Sequence, residues 1–217
     1  MSIKLKCCGF QNPEDVRQAI VYPLDAIGFI LVQNRKRSVS KESFYSLISI
    51  VPSSIERVGV LINPTIEEVQ SWLAVASFDR IQLHGTESPA QCKEIAAHFP
   101  NMKITKVFHV GENEPKQVID YVAYIDMLLL DSTVRGQRGG TGQNFDWSKI
   151  PAFKKICDQY QLPLWIAGGI QVNNVSLLLD QYSIAGVDVS SGIEREHRKD
   201  ADLIREMIWR VKRYESS

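Results

Sequence analysis

The chain has 217 residues, long for one ordinary domain and short for two, and a length at which α/β barrels run as a single unit. With 44% apolar and 23% charged residues it has the composition of a soluble globular protein with a sizeable core, which excludes a disordered or membrane-embedded chain. Lysine plus arginine and aspartate plus glutamate each total 25, so no overall field of one sign favours nucleic acid or an anionic membrane, and any phosphate site has to be local.

The first ten residues, MSIKLKCCGF, alternate charge and apolarity and lack the long apolar stretch of a signal peptide. No run elsewhere reaches the ~18 residues of a membrane span, so a cytoplasmic location is expected. The four cysteines, Cys7, Cys8, Cys92 and Cys157, form no CxxC pair and fit neither a disulfide framework nor a zinc site.

In chain order, strands are predicted at Ile3–Gly9, Leu24–Leu31, Glu56–Ile62, Asp79–Leu83, Lys103–Val107, Ile125–Asp131, Pro163–Gly168 and Gly186–Ser190. Amphipathic stretches separate them. Their predicted starts include Asn12-Pro13-Glu14, Ser40-Lys41-Glu42, Asn63-Pro64-Thr65, Ser88-Pro89-Ala90 and Asp146-Trp147, and a last helix runs from about Asp200 to Tyr214. Eight βα units in strict alternation imply parallel strands with helical crossovers, hence a single (β/α)8 TIM barrel over residues 1–217. An open doubly wound sheet would want a GxGxxG turn after its first strand, where the sequence reads Cys8-Gly9-Phe10-Gln11.

Such barrels place their chemistry at the carboxyl ends of the strands. In the first strand Ile3, Leu5 and Cys7 share one face and Lys4, Lys6 and Cys8 the other. The uniformly apolar face belongs against the helices, so Lys6 and Cys8 are predicted to point inward, with Asp131 or Asp188 as counter-charge for the lysine. A thiol beside an ammonium is expected to have a lowered pKa and to serve as a base. The sixth strand ends in Asp131, an acid placed for catalysis, followed by Gly139-Gly140-Thr141-Gly142. Gly140, Thr141 and Gly142 offer close backbone approach and a hydroxyl to a phosphate. Gly168 and Gly169 after the seventh strand, with Ser190, Ser191 and Gly192 after the eighth, occupy the two loops where these barrels commonly bind phosphate. His84 and His109 read as satisfied core or loop histidines, and Phe29, Trp147 and Trp165 as core aromatics.

Taken together the motifs resemble the phosphoribosylanthranilate isomerases of tryptophan biosynthesis from end to end. Lys6-Cys7-Cys8-Gly9, Asp25 to Phe29, Val58 to Asn63 and Gln82-Leu83-His84-Gly85-Thr86-Glu87 match in order. So do Leu130-Asp131, Gly139 to Gly142, Phe145-Asp146-Trp147, Ala167-Gly168-Gly169 and Gly186 to Glu194. The resemblance implies an Amadori rearrangement of N-(5-phosphoribosyl)anthranilate, with Asp131 as general acid and Cys8 as general base, no cofactor or metal, and a monomer or homodimer. The two groups then have opposite needs: Asp131 an apolar or anionic setting that keeps its proton, Cys8 a cationic one. Arg37 is assigned the anthranilate carboxylate by the resemblance, since a guanidinium grips a carboxylate with two bonds. Arg35, standing where the family usually has serine, leaves that assignment open between the two arginines. Leu31 replaces a phenylalanine, Val172 a proline, and the family commonly has glycine near His197.

Two other readings share the pattern. Another phosphosugar isomerase or synthase on the same barrel is one, although the histidine-pathway barrel carries aspartates ending strands one and five, where this chain has Cys8 and Lys106-Val107-Phe108-His109. The other is a non-catalytic phosphosugar-binding regulator, which would need neither Cys8 nor Asp131.

Overall fold

The computed structural model describes residues 2–134, 137–138 and 146–215. Eight parallel strands form its frame: β1 (Lys4–Cys8), β2 (Ala26–Ile30), β3 (Glu56–Leu61), β4 (Arg80–Leu83), β5 (Lys103–Val110), β6 (Met127–Val134), β7 (Leu164–Ile166) and β8 (Gly186–Val189). Neighbours follow chain order, and β1 pairs with both β2 and β8, so the sheet closes on itself as the expected barrel. A two-residue strand, Gln137–Arg138, folds back on β6, and Glu194–Arg195 pairs with Arg198–Lys199 in a small hairpin after β8.

The crossover helices are α1 (Pro13–Ile20), α2 (Lys41–Ile48), α3 (Ile66–Leu73), α4 (Pro89–His98), α5 (Ile150–Gln159), α6 (Val175–Gln181) and α7 (Ala201–Lys212). Local chemistry sets most starts. Asn12, Ser40, Thr65, Ser88 and Asp200 each accept a first-turn amide proton, and Ser88 forms a full capping box with Gln91. Two starts differ from expectation. Asn63 adopts a left-handed φ of 46° and leaves the α3 cap to Thr65, while its Oδ1 accepts from the Thr86 amide. Asp146 caps a 3-10 turn (Trp147–Lys149) ahead of α5.

Strict alternation fails once: the β5-to-β6 crossover is a 3-10 turn, Pro115–Asp120. A single buried side chain there, Val118, gives the segment too narrow an apolar stripe to dock a longer helix.

Between strands and helices runs a continuous apolar shell that includes Leu5, Cys7, Phe29, Phe44, Leu83, Phe108 and Met207. A smaller cluster, Val107, Met127, Leu129, Trp165 and Ala167, forms separately from it. Across the seam where the last unit meets the first, the Asp25 carboxylate accepts from Lys4 at 2.9 Å and from Lys212 at 2.8 Å. Among the described residues no helix is long and apolar enough to cross a membrane.

Candidate active site

Alternation along β1 works as predicted. Cys7 joins the apolar shell, while Lys6 and Cys8 lie beside Gly28 of β2. A Cβ on Gly28 would stand 2.7 Å from Cys8 Sγ and 2.9 Å from Lys6 Nζ, so this glycine makes the room both side chains occupy. Of the two predicted counter-charges it is Asp188, paired across the β1–β8 register, that accepts from Lys6 Nζ at 2.7 Å. Burial alone would pull the lysine down, but Asp188 and Cys8 beside it leave its pKa above the ordinary value.

Cys8 departs from expectation. Burial pushes its thiol pKa up, and the opposing pull of Lys6, offset by Asp188, does not reverse that. In the unliganded protein Cys8 therefore holds its proton at neutral pH.

Asp131 departs in the opposite sense. Its Oδ2 lies 3.1 Å from His84 Nε2 and its Oδ1 accepts the Ser132 amide at 2.7 Å. Burial raises its pKa, yet His84, His109 and the Ser132 amide together hold the carboxyl below the usual carboxylate range. His84 is thus no bystander, as the sequence suggested, but a direct partner of the acid. Gln82 Nε2 lies 3.4 Å from His84 Nδ1 and 3.5 Å from Asp188 Oδ2. With the amide donating to Nδ1, the imidazole presents Nε2–H to Asp131. A chain of polar contacts, Lys6–Asp188–Gln82–His84–Asp131, runs from the Cys8 strand to the acid.

Arg35 and Arg37 separate cleanly. Arg35 is exposed, whereas Arg37 is buried over Gly9. Gly9 has φ +83°, and a Cβ there would meet Arg37 Cδ at 2.6 Å. Arg37 Nε and Nη2 donate to the two oxygens of Glu194 at 2.6 and 2.7 Å, and Lys199 Nζ donates to the same carboxylate at 2.7 Å. Against the effect of burial, those two cations bring Glu194 down to about 2. Sequence reasoning gave Glu194 and Lys199 no role; 157 residues separate Arg37 from Glu194, and only the closed barrel joins them.

The two glycine-bearing loops after β7 and β8 meet. A Cβ on Gly192 would stand 1.9 Å from the Ile170 carbonyl oxygen, so the loops touch backbone to backbone. Gly168 (φ +77°) presses on Asp131, where a Cβ would lie 2.5 Å from Oδ1, and Gly169 also has a positive φ, 67°. Ser191 and Gly192 form a 3-10 turn with Ile193. The Ser190 hydroxyl donates to the Cys8 carbonyl at 3.0 Å. Gly140, Thr141 and Gly142 lie outside the described residues.

Two further features flank the site. A cleft of about 290 Å³ opens outside the Arg37 cluster, lined by Gly9, Asn12, Asp15, Glu194, His197 and Lys199 among others, and reaches neither Cys8 nor Asp131. Below His84, the buried Lys106 donates to Glu87 at 2.7 Å and to the Gly85 carbonyl at 2.9 Å.

A family model described as N-(5'-phosphoribosyl)anthranilate (PRA) isomerase matches residues 5–210. The chain is 35% identical to the N-(5'-phosphoribosyl)anthranilate isomerase of Brevibacillus brevis, over 98% of this chain and 95% of that one. To the Staphylococcus aureus enzyme of the same name it is 36% identical, over 97% of each. Among solved structures, the phosphoribosyl anthranilate isomerase of Thermus thermophilus superposes with a TM-score of 0.82 at 25% identity, covering 98% of this chain and all of that one. A phosphoribosyl anthranilate isomerase in complex with reduced 1-(o-carboxyphenylamino)-1-deoxyribulose 5-phosphate superposes at 0.79 with 28% identity, over 97% and 98% of the two chains.

Proposed function

The chain belongs to the N-(5'-phosphoribosyl)anthranilate isomerase family, and on that premise we propose that this isomerase of tryptophan biosynthesis works with Asp131 as general acid and Cys8 as general base. The observation that carries the reading is the polar chain joining the Cys8 and Asp131 strand ends at one mouth of the barrel.

Asp131 gives its proton to the ribose ring oxygen as the C1–O bond breaks and the anilino nitrogen lone pair closes to an iminium. Cys8 thiolate then takes the proton from C2, which the iminium has acidified, leaving an enolamine. Loss of the enol proton and protonation at C1 yield the 1-amino-1-deoxyribulose phosphate. Neither step needs a group from outside the chain. The cationic iminium adds positive charge where Asp188 and burial offset the pull of Lys6 on the thiol, so ring opening itself favours the thiolate.

Arg37 is the residue proposed for the anthranilate carboxylate. Glu194 takes the edge of the guanidinium formed by Nε and Nη2, which leaves the edge formed by Nη1 and Nη2 for a second carboxylate. Two cations and one anion leave the cluster Arg37, Lys199 and Glu194 with one positive charge to match the single negative charge of the anthranilate carboxylate. The phosphate is assigned to the joined loops at Gly168, Gly169, Ser191 and Gly192, three of which have no Cβ over the main chain, with Ser190 beside them, and the resemblance adds Gly140, Thr141 and Gly142.

The test is steady-state turnover of phosphoribosylanthranilate by Cys8→Ala and Asp131→Asn. Each is expected to lose roughly 10²–10⁴-fold in kcat with the thermal transition retained, the usual contribution of a positioned acid or base. Turnover like wild type in either variant would remove that residue from the mechanism.

A further inference from the structure

His109 has no part in the mechanism above, yet it is buried beside the acid at 1% exposure. Its strand position is opposite Asp131 in the β5–β6 register, and His84 follows β4 next door. Three consecutive strands therefore deliver two imidazoles and one carboxylate to a single spot, where one ligand-type atom from each lies within 4.8 Å of the others. The two rings stand edge to face with centroids 5.2 Å apart. His109 Nε2 lies 3.3 Å from the His84 carbonyl, and its Nδ1, though buried, has no partner. A buried ring nitrogen without a partner is a standing cost that a ligand can relieve.

We propose that His84, His109 and Asp131 form a binding site for a divalent transition-metal cation of the zinc class. Two neutral imidazoles and a carboxylate with an open fourth position suit zinc, cobalt, nickel or copper far better than magnesium or calcium, which demand oxygen ligands. Burial and the neighbouring His84 hold the His109 pKa below its ordinary value, which keeps that ring in the form that binds metal. Around a cation at about 2.0–2.2 Å from each ligand, tetrahedral donors sit about 3.4 Å apart; His84 and Asp131 already stand 3.1 Å apart, so it is His109 that has to draw in. Ligation through His84 Nε2 moves that ring's proton to Nδ1, where the Gln82 side-chain amide, turned to present its oxygen, is the outer partner that receives it. The Lys106 ammonium, which acts on His109 from beneath this corner, is already matched by Glu87. Occupancy would hold the Asp131 carboxylate ionised through one of its oxygens and so deny it the proton it has to deliver, switching the isomerase off; this consequence, unlike the binding, rests on the acid role proposed for Asp131.

Titration of the metal-free protein with Co²⁺ reads the site directly. One equivalent is expected to give visible ligand-field absorption of nitrogen and oxygen coordination without a thiolate charge-transfer band, and to be displaced by Zn²⁺ but not by Mg²⁺ or Ca²⁺. His84→Gln and His109→Gln should each weaken binding by at least roughly 10-fold, the lower end of what losing even an outer partner of a ligand costs, whereas Cys8→Ser should not. A thiolate band, or affinity unchanged in both histidine variants, overturns the proposal. Should a histidine variant fail to fold, the wild-type spectrum and Asp131→Asn decide it, since sulfur ligation or undiminished binding there has the same force. Turnover is expected to fall with occupancy and to return on adding a chelator. Full turnover with the metal bound at these three residues would leave the site standing and remove Asp131 from the acid role.

Discussion

At the scale of single residues, the pair assigned to catalysis has its protons the wrong way round in the empty protein. Asp131 is held low by His84, and Cys8 is held high by burial, so the rest state is carboxylate plus thiol, while the reaction starts from carboxylic acid plus thiolate. Both arrangements carry one proton, and their populations stay in fixed proportion wherever the pair is singly protonated. The sign follows. Lowering the pH through the Asp131 value adds a second proton and removes the base; raising it through the Cys8 value removes the last proton and with it the acid. kcat/KM is therefore expected to be flat across neutrality, falling on the acid side only below the ordinary carboxylate range and on the alkaline side only above the ordinary thiol value. A profile with its maximum confined to one side of neutrality would contradict these environments. The inward direction of Cys8 was legible in the sequence because strand alternation is a local rule. The proton positions were not, because they depend on His84, Asp188 and the depth of burial, all contributed by distant strands. Resemblance likewise named Arg37, but only the fold turns it inward and leaves Arg35 in solvent.

At the scale of elements, hydrophobic pattern and capping located all eight barrel strands and most helix starts, and the errors cluster where backbone geometry overrides residue preference. The hairpin after β8 is the clearest case. Glu196 and His197 have φ of 51° and 65°, the left-handed pair that a two-residue hairpin turn requires. That requirement explains the glycine common near this place in the family, and it means that this chain holds two side chains in a conformation costing about 1–2 kcal/mol per residue. His197→Gly is expected to stabilise the protein by about 1 kcal/mol, raising the thermal midpoint by roughly 2–4 °C with turnover retained. A lowered midpoint would show that the imidazole makes contacts outweighing the backbone cost. The β5-to-β6 crossover erred for a related reason: its apolar residues suggest a helix, but only Val118 is buried within the turn, and packing decides such short segments.

At the scale of the whole molecule, charge is distributed inside the ring, not only on its surface. Glu87 ties three units together, accepting from the Asn63 amide after β3, the Gly85 amide after β4 and Lys106 on β5. Lys106 and Glu87 have side chains 3% and 1% exposed, so removing one charge strands the other in a dry interior. Glu87→Gln is expected to cost about 3–5 kcal/mol, read as a lower urea midpoint at unchanged slope. A loss under about 1 kcal/mol would mean that water reaches Lys106 and that the pair is not the tie described. Lys6 and Asp188 pose the same problem over a much longer loop, since they stand 182 positions apart in the chain. While the chain is being made, β1 leaves the ribosome well ahead of β8, so until β8 emerges Lys6 lacks the Asp188 carboxylate. Its ammonium has to stay hydrated in that interval, which keeps the inner wall of the nascent sheet wet and open. Docking of β8 then supplies the carboxylate, completes the ring and expels the water in one event, so the protein has no active site until the moment it has a finished barrel.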